Sequence, residues 1–112
     1  MKSAALFGIV GLLAGCAASY VPPDGPIATA QKEVGGAEQA GAESVPDAKL
    51  HLQLARESLV RAKEMDPGNP RSSTLAERAK NEADLAIFMT RSAQAKAAAD
   101  QAVEQLNEAK AK

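Results

Sequence analysis

The stretch DPGNPRSSTLAERAKNEADLAIFMTRSAQAKAAADQAVEQLNEAKAK, residues 66–112, decides how the rest of the chain is arranged. Its first five residues, Asp66-Pro67-Gly68-Asn69-Pro70, are the strongest turn signal in the sequence. Each proline excludes the helical conformation from the residue before it, and glycine and asparagine tolerate the backbone angles of a reversal. Beyond Pro70 neither proline nor glycine occurs. A single helix over about 72–110 is therefore expected, roughly 55 Å long at about 1.5 Å per residue. Thr74-Leu75-Ala76-Glu77 has the capping-box form at its start, a hydroxyl with an acid three residues on. Two seams can be traced along it: Ala76, Ala79, Ala83, Ala86, Thr90, Ala93 and Ala97 form the first, and Phe88, Ser92, Ala95, Ala99, Ala102, Leu106 and Ala109 the second. Alanine seams let helix backbones approach closely, but each methyl buries little area, so the packing is slim and the stability modest.

Upstream of the turn, Ser44-Val45-Pro46-Asp47 again has the capping-box form, with proline in the first turn where its missing N–H is harmless. The seam Ala48, Leu52, Ala55, Leu59 and Ala62 then marks a helix over 46–65, flanked by Leu50, Leu54 and Met65. Glu57 and Arg61 stand as a surface i,i+4 pair, and Arg61 and Lys63 complement the negative C-terminal end of the dipole. Further back, Ile27, Ala30, Val34, Ala37 and Gly41 recur in steps of three and four, which predicts a helix over 27–42. Gly35-Gly36 falls in its middle and costs about 1 kcal/mol per glycine relative to alanine, so this helix needs a packing partner.

A helix over 46–65 cannot cover one of nearly twice its length. The uncovered part must pair with the 27–42 segment, with another copy, or with a different protein. The fold expected is all-α: an antiparallel helical hairpin or three-helix bundle with one long C-terminal helix and Ala-rich, coiled-coil-like packing. The seam residues Ala95, Ala99, Ala102 and Leu106 are the natural place for a protein partner or for self-association.

Composition narrows the function. The 112 residues carry a formal charge of −1, so nothing resembles a nucleic-acid footprint. With no Trp, one Tyr and two Phe, the core must be built from Ala, Leu, Val, Ile and Met. Cys16 is the only cysteine, so an intramolecular disulfide cannot compensate for a thin core. No catalytic set stands out and no cofactor is implied. His51 lies between Leu50 and Leu52 and reads as a helix-surface residue near a seam, not a ligand or general base. Asp84 with Asp100, or Glu104 with Glu108, read as a solvated polar face. Ser72, Ser73 and Thr74 are accounted for by capping and turn chemistry. There is no phosphate loop, metal-ligand spacing or triad-like set.

The N-terminus supplies the localisation. After Met1-Lys2 an apolar run spans Ala4 to Ala14, signal-peptide length and too short to cross a bilayer. It ends in Leu13-Ala14-Gly15-Cys16, which resembles a bacterial lipobox. The resemblance implies a signal peptide over 1–15, cleavage before Cys16, and a diacylglycerol on the Cys16 thiol, with membrane lipid as a permanent partner. Each buried methylene contributes about 0.8 kcal/mol and one acyl chain anchors only marginally, so two or three chains make release negligibly slow. Ala17 in place of an aspartate implies the outer membrane, facing the periplasm, in an organism that has one. Residues 16–26, with three prolines and a glycine, read as the lipidated cysteine and an extended tether, and 27–112 as the helical domain. Cleavage would leave 97 residues with 12 basic against 14 acidic side chains.

The lipobox, the segment AKLHLQLARESLVRAKEMD (48–66), the turn, and the tail LAERAKNEADLAIFMTRSAQAKAAADQAVEQLNEAK (75–110) together resemble small bacterial lipoproteins with a DUF4398 domain. That likeness covers nearly all of the chain beyond Cys16 and implies an all-helical, outer-membrane-anchored envelope protein. It carries no activity over to particular residues. A second likeness is local: Ala55, Leu59, Ala62 and Pro67 match the spacing of the second helix of a tetratricopeptide repeat. Its first helix would then occupy about 36–49, where Gly41 and Pro46 sit, and no 34-residue repeat is visible. A third is that the chain ends in Lys110-Ala111-Lys112, similar to the murein lipoprotein, whose terminal lysine is bonded to peptidoglycan. Lysine is also favoured at any helix C-terminus by the dipole. The function expected is a lipid-anchored periplasmic helical scaffold or adaptor binding cell-envelope partners without catalysis. The rivals are a peptidoglycan tether through Lys112 and a degenerate tetratricopeptide-like peptide-binding module.

Overall fold

Proline and glycine punctuate the chain as the sequence implies, and helices fill the intervals. A computed structural model describes residues 25–112, which form α1 (Gly25–Ala40), a 3-10 turn (Ala42–Ser44), α2 (Pro46–Glu64) and α3 (Pro70–Ala111). The segments expected to be a signal peptide (1–15), a lipidated Cys16 and a tether (17–24) lie outside the described residues. Gly25 and Pro26, grouped with the tether on composition, open α1 instead.

Gly41 ends α1 in the left-handed region, φ 92°, where a side chain would be strained and where its N–H closes back on the Glu38 carbonyl at 3.1 Å. The start of α2 differs from the capping box. Pro46 takes the first helical position and forces Val45 to be extended (φ −112°, ψ 113°), so Val45 becomes the N-cap and Ser44, left in the 3-10 turn, caps nothing. The same rule moves the start of α3. Pro70 is its first residue, Asn69 is extended before it and accepts the Arg71 N–H at 3.0 Å, and Thr74 turns back to donate to the Pro70 carbonyl at 3.3 Å. Thr74 is thus inside the helix, and the cap is the asparagine of the turn.

The helices form an up-down-up bundle. α3 rises alongside α1, as the approach of Gly36 to Ile87 and the bond from Gln94 Nε2 to the Ala40 carbonyl at 3.1 Å show. α2 descends between them in sequence, its end latched to α3 where the buried Ser72 hydroxyl donates to the Ala62 carbonyl at 2.9 Å. The helix that a tetratricopeptide pair would need over 36–49 is broken at Gly41–Val45.

Ten of the thirteen buried apolar residues are alanines, joined by Val34, Leu52 and Leu59. Leu52 and Thr90 are the largest fully buried side chains, and the Thr90 hydroxyl is satisfied by the Ala86 carbonyl at 2.7 Å. Ile27, Val45, Leu75, Ile87 and Met89 close the rim. A core of methyl groups permits close helix approach but gives each contact little area, so stability rests on many small contributions.

Candidate interaction surface

Thr90 is the last buried residue of α3; Ala93 is half-covered, and every residue from Gln94 to Lys112 is exposed. The helix thus has a stem inside the bundle and a free arm of roughly 27 Å at about 1.5 Å per residue. The arm needs no nucleus of its own, because it propagates from a stem already held helical.

The two seams read from the sequence lie on opposite sides of this helix. At about 100° per residue, the line through Ala79, Ala83, Ala86 and Thr90 faces the bundle, and the line through Phe88, Ala95, Ala102 and Leu106 points directly away. Of the first seam, the members from Ala76 to Thr90 are buried, Ala93 is half-covered and Ala97 is exposed. The second seam is exposed throughout, with Phe88 at 68% and Leu106 at 54%. Leu85 (37%) and Val103 (58%) extend it. Both lie outside the two seams traced from the sequence, although Leu85 stands three residues before Phe88 and Val103 four after Ala99. On the stem the outward line is polar at Glu77, Asn81 and Asp84; on the arm the bundle-facing line becomes polar at Gln101, Glu104 and Glu108. The apolar side of α3 therefore changes over between Leu85 and Thr90.

Charged groups brace the bundle and arm. Arg56 on α2 bonds Glu38 on α1 through Nε at 3.0 Å and through a terminal nitrogen at 2.7 Å, and reaches Glu43 in the 3-10 turn with the other at 2.5 Å. These carboxylates, Glu38 first and Glu43 second, hold the Arg56 guanidinium above its ordinary value. His51 finds a specific partner: its Nδ1 donates to Glu82 Oε2 at 2.6 Å, tying α2 to α3, a bond between residues 31 apart that helical spacing alone does not reveal. Lys80 donates to Asp84 at 2.6 Å and Lys96 to Asp100 at 2.7 Å. The Asp84 carboxylate raises the Lys80 pKa. Asp84 and Asp100 therefore have separate cations and do not approach each other, and the Glu57–Arg61 pair is not among the ion pairs formed. Ser72 is bonded as above, and Lys112 follows the last turn of α3, fully exposed.

Chemistry has little to work with. Among the described residues no group of three His, Cys, Asp or Glu side chains is placed to hold a metal ion, and no helix is long and apolar enough to cross a membrane. An open groove of about 670 Å³ between α1 and α3 is lined by polar side chains, Gln31, Lys32, Glu33, Gln39 and Arg91, around Gly35, Gly36, Ala40 and Ile87.

These features define an all-α bundle with a projecting helix whose most exposed large apolar side chain is an aromatic ring. A family model described as "Domain of unknown function (DUF4398)" matches residues 26–102, and the chain belongs to that family. The match takes in α1, α2, the stem and the first turns of the arm. No curated protein and no solved structure matched the chain.

Proposed function

We propose that the protein is a lipid-anchored, non-catalytic scaffold or adaptor of the outer membrane's periplasmic face, with α3 as its interaction arm. The observation that carries this is the exposed stripe Leu85, Phe88, Val103 and Leu106 on a helix that outruns its own bundle. Solvent exposure of that stripe has no use in stabilising the monomer, and burying it on another helix does. The anchor is supported by Leu13-Ala14-Gly15-Cys16 alone. Cys16 carries the acyl chains, the following prolines space the bundle from lipid, and no residue acts as acid, base or nucleophile. Fractionation of cells making wild type and Cys16→Ser tests the anchor: wild type partitions with the outer membrane and gains the mass of its acyl chains, and the variant is released. An unmodified mass for the natural product, or equal retention of the variant, overturns it.

The second reading is a peptidoglycan tether of murein-lipoprotein type through Lys112, favoured by that lysine standing exposed past the end of a free helix. Muropeptides released by lysozyme separate the two. Only the tether yields a diaminopimelate-bearing peptide joined to Lys112.

A further inference from the structure

The outward face of α3 has the layout of an antiparallel coiled coil, and we infer that its occupant is the same face of a second copy of this chain. Leu85, Phe88, Ser92, Ala95, Ala99, Ala102, Leu106 and Ala109 alternate in steps of three and four over 25 residues, a heptad seam that is exposed along its length. Running two such seams in opposite directions gives one register in which all eight positions find a partner. Leu85 then meets Ala109, Phe88 meets Leu106, Ser92 meets Ala102 and Ala95 meets Ala99 of the second copy. Leu85 falls opposite an alanine, Phe88 and Leu106 make one layer of large side chains near each end, and the small Ser92, Ala95, Ala99 and Ala102 between them let the backbones close. α1 and α2 lie on the other side of the stem and leave the path open.

Charge selects this arrangement over its competitor. The acids flanking the seam sit at its stem end, Glu82 and Asp84, and the lysines at its tip, Lys110 and Lys112. Antiparallel pairing brings Glu82 across from Lys110 and Asp84 across from Lys112 at both ends of the dimer. Between them Met89 faces Val103 and Arg91 faces Gln105. The one like-charge approach, Lys96 against its own copy at the two-fold axis, is relieved by Asp100 of the same helix at 2.7 Å. Glu82 and Asp84 already accept from His51 and Lys80, and each carboxylate keeps lone pairs for a second donor. A parallel in-register pair instead sets Arg91 against Lys96 on both flanks and leaves the acids without opposing cations. Alanine layers bury little area, so the dimer is concentration-dependent.

This inference rests on the reading of α3 as an interaction arm and is independent of the lipid. Its test uses the full chain carrying Cys16→Ser, so that an introduced cysteine is the only thiol. Sedimentation over a concentration series shows a monomer–dimer equilibrium. A mixture of Ser92→Cys and Ala102→Cys chains, both changes being at exposed positions, oxidises to the mixed disulfide, while each variant alone gives little dimer because its own cysteines stand about 15 Å apart along the axis. Lys112→Glu weakens dimerisation about fivefold, and Asp84→Lys added to it restores most of the loss. A chain that remains monomeric at millimolar concentration overturns the inference, as do efficient homodisulfides of Ser92→Cys and Ala102→Cys, which only parallel pairing allows. A different envelope protein crosslinked to the arm in cells, with the purified chain monomeric, also overturns it while leaving the interaction arm in place. Failure of that arm itself would show as no crosslinked partner of any kind.

Discussion

The stem of α3 and its arm are one continuous helix, and alanine is if anything denser in the arm, yet four alanines of the stem are fully buried and every one beyond Ala93 is exposed. The difference lies in what stands opposite. On the stem, alanines at steps of three and four meet α1 and α2, which present Val34, Leu52 and Leu59; past Gln94 both shorter helices have ended. Alanine spacing thus says where a helix can be approached closely, and the lengths of the neighbours say whether it is. The large apolar residues follow a similar division: Leu75, Ile87 and Met89 of the stem pack against the core, and Val103 and Leu106 of the arm are exposed.

The stem depends on a few sizeable side chains among many methyls. Leu52→Ala removes the largest fully buried apolar one, and should lower unfolding free energy by about 2–4 kcal/mol in urea titrations followed by helical circular dichroism. A loss near zero would mean the core is too loose for the contrast with the arm to hold.

A sharper comparison uses one line of one helix. Ala83 and Ala97 fall on the same side of α3, the first fully buried and the second exposed. Ala83→Leu must push α1 or α2 away and should cost about 1–3 kcal/mol, whereas Ala97→Leu should change stability by less than about 0.5 kcal/mol. Equal effects would show that the arm is covered in solution on its bundle-facing side. Ser72→Ala probes the base of the stem. It leaves the Ala62 carbonyl without the buried hydroxyl that bonds it, and about 1 kcal/mol should be lost in the same titration.

Much of this was legible in the sequence, and the failures have physical causes. Three helices, their order and the buried seams Ala48 to Ala62 and Ala76 to Thr90 follow from periodicity and from the turn at 66–70, because period and punctuation are local properties. Both caps moved, to Val45 and Asn69, and the start of α3 moved with its cap from about 72 to Pro70, because Pro46 and Pro70 dictate extended residues before them, which outranks a hydroxyl that merely has the right spacing from an acid. His51–Glu82 and the Arg56 cluster join residues on different helices, so their pairing depends on rotation and register that no single segment encodes. The two α3 seams were visible, but that they face opposite ways becomes decisive only once the ends of α1 and α2 fix which half of the helix is covered.

The smallest expected effects come from positions where the bundle asks nothing of the residue. An added Cβ at Gly35 meets no atom within 4 Å, and one at Gly36 meets only Ile87 at an ordinary 3.5 Å, so alanine at either should raise stability by about 0.5–1 kcal/mol through the helix backbone alone. Smaller still is the effect of ending the chain after Gln94, which keeps the bond to the Ala40 carbonyl and removes only residues exposed in the monomer. At a concentration where the full chain is monomeric, the shortened one should unfold within about 0.5 kcal/mol of it, and the helical signal lost should match the deleted residues and no more. As concentration rises the full chain alone should gain stability, because only it can bury Leu106 against Phe88 of a second copy and association adds to apparent stability by mass action. A concentration-independent gap between the two chains would place the arm's contribution inside the monomer and erase the distinction between stem and arm.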